Sequence, residues 1–193
     1  MLSSAHPAHD RFERPTSMQI RPATLKDIDL VVAMDHSYTT DKVWQLSVSE
    51  GTLERLAQLR VSPLPRSVKM PFPLAPEALR RVVHRCDYVW VAHESTGVLA
   101  YLGMMLMPGQ NAGWVCSACV APALRRTGLA RQLMAMAINQ ARSMRLHSVM
   151  ADLQTKNVPA ARFCEAMGFK FSGYADNYYA TQDIALFYSY RVR

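Results

Sequence analysis

The run Val120-Ala121-Pro122-Ala123-Leu124-Arg125-Arg126-Thr127-Gly128-Leu129-Ala130 decides how the rest of the chain is read. Before it, Ala112 to Val120 is apolar and reads as a strand that Pro122 ends. After it, a helix is expected from about Gly128 to Met144. Leu129, Leu133, Met136, Ala137 and Met144 line its buried side, and Arg131, Gln132, Asn139 and Arg142 face away. A basic loop therefore sits at a strand-to-helix junction. The first amides of a helix lack intrahelical acceptors and carry the positive end of its dipole, so such a junction suits a phosphate. Gly128 and Ala130 are small enough for close backbone approach, and Arg125 and Arg126 add charge. The same residues also fit a solvated basic loop before an ordinary helix. The Gly-Lys-Ser/Thr ending of nucleotide-hydrolysing P-loops is missing.

Working outward, Val149 to Leu153 reads as a strand. Asn157 can cap a helix that carries Pro159 in its first turn and ends before Gly168. Phe169 to Tyr174 and Ile184 to Tyr190 complete the strands on that side. Upstream, Asp87 to His93 and Val98 to Met107 are strands joined by the turn-like Glu94-Ser95-Thr96-Gly97. Pro108-Gly109-Gln110-Asn111 then makes a hairpin into Ala112 to Val120. Near the start, Met18-Gln19-Ile20-Arg21 is a short strand and Thr24 precedes Asp27 at capping-box spacing. The helix this begins presents Leu25, Ile28, Val31 and Val32 on one face. Between Tyr38 and Arg85 the pattern weakens. Lys42 to Ser49 alternates like a strand, while Leu53, Leu56 and Leu59 fit a helix or a strand. Pro63, Pro65, Pro71, Pro73 and Pro76 mark an irregular crossing before a short helix from Pro76 to Arg85, and this region is expected to set specificity.

These elements predict one α/β (α+β) domain over 18–193, a mixed, mostly antiparallel central sheet flanked by helices, behind a flexible tail over 1–17. Composition agrees: half of the 193 residues are hydrophobic and 19% are charged, which excludes a wholly disordered chain. A net charge of +7 favours anionic partners. No charge falls between Gly97 and Leu124, yet the turn at Pro108 to Asn111 cuts that stretch into pieces about half the ~20 residues of a spanning helix. His6, Asp10, Arg11, Glu13 and Arg14 leave no apolar run for a secretory signal, so no membrane partner and a cytoplasmic location are expected. Cys116 and Cys119 have redox or zinc spacing. On a strand, residues three apart point to opposite faces, so no metal site is expected and the thiols read as small apolar fillers. His84, His93 and His147 read as structural.

The run Arg125-x-x-Gly128-x-Ala130 resembles the acetyl-CoA signature of the GCN5-related N-acetyltransferase (GNAT) superfamily, and Asn157, Ala160, Phe163 and Gly168-Phe169 resemble a second element of it. Asp35 to Trp44, Gly173 to Tyr179 and Ile184-Ala185-Leu186 are similar to the streptothricin (nourseothricin) acetyltransferase branch. The resemblance implies that Arg125, Arg126, Thr127, Gly128, Leu129 and Ala130 cradle the pyrophosphate of acetyl-CoA. Backbone groups near Ala118 and Val120 would meet its pantetheine arm, and Asn157 would hydrogen-bond it. Tyr38, Asp41 and Trp44 fall in the stretch implied to bind substrate.

Relatives often carry carboxylates on the strand corresponding to Trp114 to Val120, where this chain has Cys116, Ser117 and Cys119. Asp152 matches an acidic position of the branch and becomes the candidate base, or else a surface or structural carboxylate. Cys164 stands where many relatives have Tyr and is a candidate acid, or a buried filler; Tyr179 matches a branch Tyr that could touch substrate. The implied activity is direct attack of a small-molecule primary amine on the thioester in a ternary complex. An acyl-CoA-binding sensor on the same fold is the alternative. A nucleic-acid partner is not expected, because the basic residues are scattered. Oligomeric state is not legible, and a homodimer stays open.

Overall fold

The computed structural model describes residues 18–95 and 97–192. The tail expected over 1–17, and Thr96 of the turn-like connection, lie outside the described residues. The chain runs β1 (Gln19–Pro22), α1 (Leu25–Ala33), β2 (Tyr38–Glu50), β3 (Arg55–Met70), α2 (Pro76–Arg85), β4 (Tyr88–Glu94), β5 (Gly97–Met107), β6 (Ala112–Val120), α3 (Leu129–Ser143), β7 (Ser148–Gln154), α4 (Val158–Ala166), β8 (Lys170–Ala175) and β9 (Ala185–Arg191). Seven strands form one sheet in the order β1-β4-β5-β6-β7-β9-β8. Every pair in it is antiparallel except β6 with β7, which α3 connects as a crossover. This is the mixed, mostly antiparallel sheet flanked by helices that the sequence predicts. No helix among the described residues is long and apolar enough to cross a membrane.

The sheet buries both faces. On one, α3 sets Leu133, Ala137 and Ala141 against strand residues such as Leu102, Val115 and Val149, and α4 adds Ala161 and Cys164. On the other, Ile28 and Val31 of α1 and Leu79 and Val83 of α2 pack on Val91, Tyr101 and Cys119. Helix α1 starts as its spacing predicts. The Thr24 amide donates to Asp27 Oδ2 at 2.7 Å, and the Arg21 guanidinium pairs with the same carboxylate.

Four details correct the sequence reading. Met144 falls past the end of α3 and is 36% exposed. The buried stripe instead takes Met134, Ile138 and Ala141, because it ends with the helix. The first part of the expected irregular crossing is strand: β3 runs to Met70 with Pro63 and Pro65 inside it and pairs with β2 in a two-stranded ribbon, while Pro71 and Pro73 lie in the irregular segment that follows. Both strands of such a ribbon are edges, where proline is tolerated. Leu56 and Leu59 therefore belong to a strand. Finally, β6 carries a bulge at Cys116: Gly103 pairs with Ser117 but Met104 pairs with Val115. The extra residue breaks strict alternation. Cys116, beside Cys86 at the end of α2, and Cys119, packed against α1 and α2, thus share the α1/α2 side of the sheet.

Candidate active site

The bulge prepares the site. Pairing between β6 and β7 runs only from Ala112 with Ser148 to Val115 with Ala151, although β6 continues to Val120 and β7 to Gln154. Past Val115 the strands diverge, which leaves the β7-facing edge of Cys116 to Val120 without a strand partner. A 520 Å³ cleft fills the gap, walled by Cys116, Ser117 and Ala118 on one side and Asp152, Leu153 and Gln154 on the other. Towards α3 and α4 it is closed by Met134, Asn157, Ala160, Phe163 and Cys164.

Beyond β6 the chain reaches the mouth of α3. Gly128 caps the helix with φ 97° and Arg126 has φ 71°, so both lie in the left-handed region that glycine adopts without strain. No side chain caps Gly128, and the first hydrogen bond of the helix is from the Gln132 amide to the Gly128 carbonyl, 3.1 Å. The amides of Leu129, Ala130 and Arg131 thus stand free of intrahelical partners beside the exposed Arg126. Thr127 donates its hydroxyl to the Leu124 carbonyl at 2.7 Å, which shapes the loop from within. The Leu129 side chain is buried, so only its amide can face a ligand.

Arg125 departs from expectation. Its Nε donates to the Val120 carbonyl at 3.1 Å, and its guanidinium donates to the carbonyls of Ser37 (2.7 Å) and Asp35 (3.3 Å). It fastens the end of β6 to the segment leading into β2 rather than pointing at a phosphate, because three carbonyls converge there. Asn157 caps α4, accepting from the Ala160 amide at 3.2 Å, and still lines the cleft with its amide group.

On the opposite side of the splay stands Asp152. The Trp114 indole donates to its Oδ1 at 2.7 Å, and the Tyr179 hydroxyl donates to its Oδ2 at 2.8 Å. Burial pushes the Asp152 carboxyl above the usual carboxylate range, against those two hydrogen bonds that pull it down. Phe187 packs edge-on against Trp114 and Tyr178, so a cluster of aromatic rings surrounds the carboxylate. The fold thus brings together two of the three residues read as catalytic. The third, Cys164, lines the other end of the cleft, where burial raises its thiol to about 12. A thiol that weakly acidic is a poor proton donor, which favours its reading as a buried filler.

Of the three residues implied to bind substrate, Tyr38 lines the cleft and donates to Gln154 Oε1 at 3.1 Å. Gln154 passes its amide hydrogen to Asp183 at 2.8 Å, and Asp183 also accepts from Lys156. The Asp183 carbonyl in turn receives the amide of Tyr178, so this network anchors the loop that carries Tyr179. Asp41 and Trp44 do not line the cleft. Asp41 sits exposed where the ribbon register shifts between Thr40 and Lys42. Trp44 packs on the core, its backbone amide donating to the Thr155 carbonyl at 3.0 Å.

Sequence reasoning missed Trp114, Gln154 and Asp183. It also missed a buried chain in which Ser117 meets the Tyr101 hydroxyl at 2.5 Å and Tyr101 meets His36 Nε2 at 3.0 Å. The available signal was alternation on β7, which sets Asp152 and Gln154 on one face. Their partners come from remote segments and left no local trace. Among the described residues, no cluster of three or more His, Cys, Asp or Glu side chains is arranged to hold a metal ion.

A model of the acetyltransferase (GNAT) family matches residues 53–169. Among solved structures, nourseothricin acetyltransferase superposes with a TM-score of 0.78 at 23% identity, covering 92% of this chain and 100% of that one. A protein of Bacillus anthracis provisionally assigned as a streptothricin acetyltransferase, solved with acetyl coenzyme A, gives 0.71 at 19% identity over 91% and 99%. The ribosomal-protein-S18-alanine N-acetyltransferase of Escherichia coli gives 0.62 at 13% over 91% and 94%. No curated protein sequence matches significantly. With the family model spanning well over half its length, on a sheet that splays beside an uncapped helix mouth, the chain belongs to the acetyltransferase (GNAT) family.

Proposed function

We propose that the protein transfers an acetyl group from acetyl-CoA, a substrate here, to the primary amine of a small molecule, both bound at once. The observation that carries this reading is the half-buried Asp152 carboxylate, which lines the cleft opposite the open edge of β6. The amides of Leu129 and Ala130, with Arg126, fit the diphosphate, since no side chain among the described residues caps them. Asn157 and the edge of β6 at Ala118 and Val120, which no strand pairs, would hold the pantetheine arm, and amides on that edge would stabilise charge developing on the thioester oxygen.

Asp152 takes a proton from the bound ammonium. An alkylammonium near 10.4 in water is a reluctant donor to a carboxylate, but the same burial that raises Asp152 lowers the amine, which narrows the gap. The freed nitrogen forms the new bond to the acetyl carbon as the carbon–sulfur bond breaks. The second nitrogen proton goes with the departing thiolate, and Asp152 returns its own proton to solvent. Trp114 and Tyr179 fix which way the carboxylate faces.

The test is thiol release from acetyl-CoA across a panel of primary amines, with the acetylated product identified by mass. The expected result is amine-dependent release, reduced about 10²–10⁴-fold in Asp152→Ala. Acetyl-CoA binding without release on any amine overturns this reading in favour of the acyl-CoA sensor.

A further inference from the structure

The acceptor end of the cleft says what kind of amine fits, an inference that rests on the acetyl-transfer reading. Among the described residues, Asp152 is its sole acidic lining residue and Arg85, exposed on the last turn of α2, its sole basic one. Phe72, Pro73 and Leu74 from the segment after β3, Val82 of α2 and Met105 of β5 give the lining an apolar wall, and Tyr38 and Gln154 add neutral polar groups. Around the carboxylate stand Trp114, Tyr178 and Tyr179, with the rings of Tyr178 and Tyr179 meeting edge-on at 5.1 Å.

A single carboxylate flanked by aromatic side chains recognises one ammonium group by charge and by hydrogen bonding. Asp152 keeps acceptor capacity for it, because each carboxylate oxygen offers about two lone-pair sites and holds one hydrogen bond here. A second ammonium on the acceptor finds no second carboxylate among the lining residues. It is left unpaired against apolar walls, which is costly, or is driven towards the like charge of Arg85. An apolar body meets Phe72, Leu74 and Val82, whose surface it removes from water.

From this we infer that the acceptor is a monoamine with an apolar, alkyl or aryl body, not a polyamine. Asp152 holds its nitrogen, and the wall formed by Phe72, Leu74 and Val82 holds its body.

The test compares 2-phenylethylamine with spermidine and with an alanine-terminated peptide. Thiol release is measured at saturating acetyl-CoA, and binding to the same protein without acetyl-CoA by calorimetry. The expected kcat/KM and affinity for 2-phenylethylamine exceed those for spermidine by about tenfold or more, the scale set by an unpaired buried charge. Arg85→Glu narrows that gap about threefold or more by removing the repelling charge. Equal or reversed ranking, preference for the peptide, or no calorimetric binding of 2-phenylethylamine overturns the inference. Spermidine preference does so while leaving acetyl transfer standing. The expected calorimetric ranking without thiol release on any amine supports this acceptor and overturns acetyl transfer.

Discussion

Trp114 on β6 and Asp152 on β7 are joined by a hydrogen bond of 2.7 Å, one residue from the last pairing of the two strands. The bond bridges the gap just where the backbone ladder stops. Tyr179 holds the other oxygen at 2.8 Å from a loop that is far away in sequence. The carboxylate is therefore both half-buried and oriented, a combination that suits a base acting on one proton at one place.

Its pH behaviour follows. Activity needs ionised Asp152, so kcat/KM falls as the pH drops through its pKa, which burial holds above the ordinary value of about 3.9. In Tyr179→Phe the hydrogen bond that lowers this pKa is gone, and the acidic limb of the pH–rate profile is expected to move to higher pH. A limb that stays put or moves down contradicts the assignment of Asp152.

The mouth of α3 and the neighbouring Arg125 separate by experiment. Arg126→Glu combined with Gly128→Asp puts acid against the free amides and is expected to weaken acetyl-CoA binding about tenfold or more, read by calorimetry. Arg125→Ala removes hydrogen bonds to three carbonyls. It is expected to cost about 1–3 kcal/mol of stability in denaturant unfolding, with little change in acetyl-CoA affinity. The opposite division of effects means that Arg125 reaches the phosphate after all.

Three of the cysteines are expected to differ in reactivity. A hydrogen bond from Cys86 lowers the Cys116 thiol, whereas burial raises Cys119 to about 11 and Cys164 to about 12. Iodoacetamide at pH 7.5, a condition near ~1 unit below the free thiol's pKa, is expected to label Cys116 first, as mapped by peptide mass spectrometry. Acetyl-CoA should slow that labelling, because Cys116 lines the cleft. Labelling led by Cys119 or Cys164 refutes the ordering.

Asp27 is the stability test. Its buried carboxylate accepts from Arg21 and Thr24, and these bonds hold it far below the usual carboxylate range despite desolvation. Such a group contributes stability above the unfolded pKa of about 3.9 and loses it as the pH falls further towards its folded value. Asp27→Ala is expected to cost about 2–4 kcal/mol near pH 7, with the gap to the wild type shrinking below about pH 4. A pH-independent difference in unfolding free energy counts against the ion pair as its source.

What the sequence determined by itself was the order of elements and the chemistry at three helix starts. Thr24 with Asp27, Asn157 before Pro159, and the strand–loop–Gly128–helix run each depend on a few consecutive residues, so spacing was enough to place them. Alternation likewise exposed the strands of the large sheet. The ribbon of β2 and β3 was not legible, because its prolines are tolerated only once the chain has made both strands edges. Tertiary structure alone decided the rest. The bulge at Cys116 exists only against β5, and it turns Cys116 to the side of Cys119 while opening the gap to β7. Asp152 becomes a half-buried, oriented carboxylate only when Trp114 and Tyr179 close on it from separate segments. Arg125 turns inward because carbonyls of Asp35 and Ser37 arrive beside it. Local pattern records what a residue can do, whereas its pKa and its partners depend on surroundings that distant parts of the chain supply.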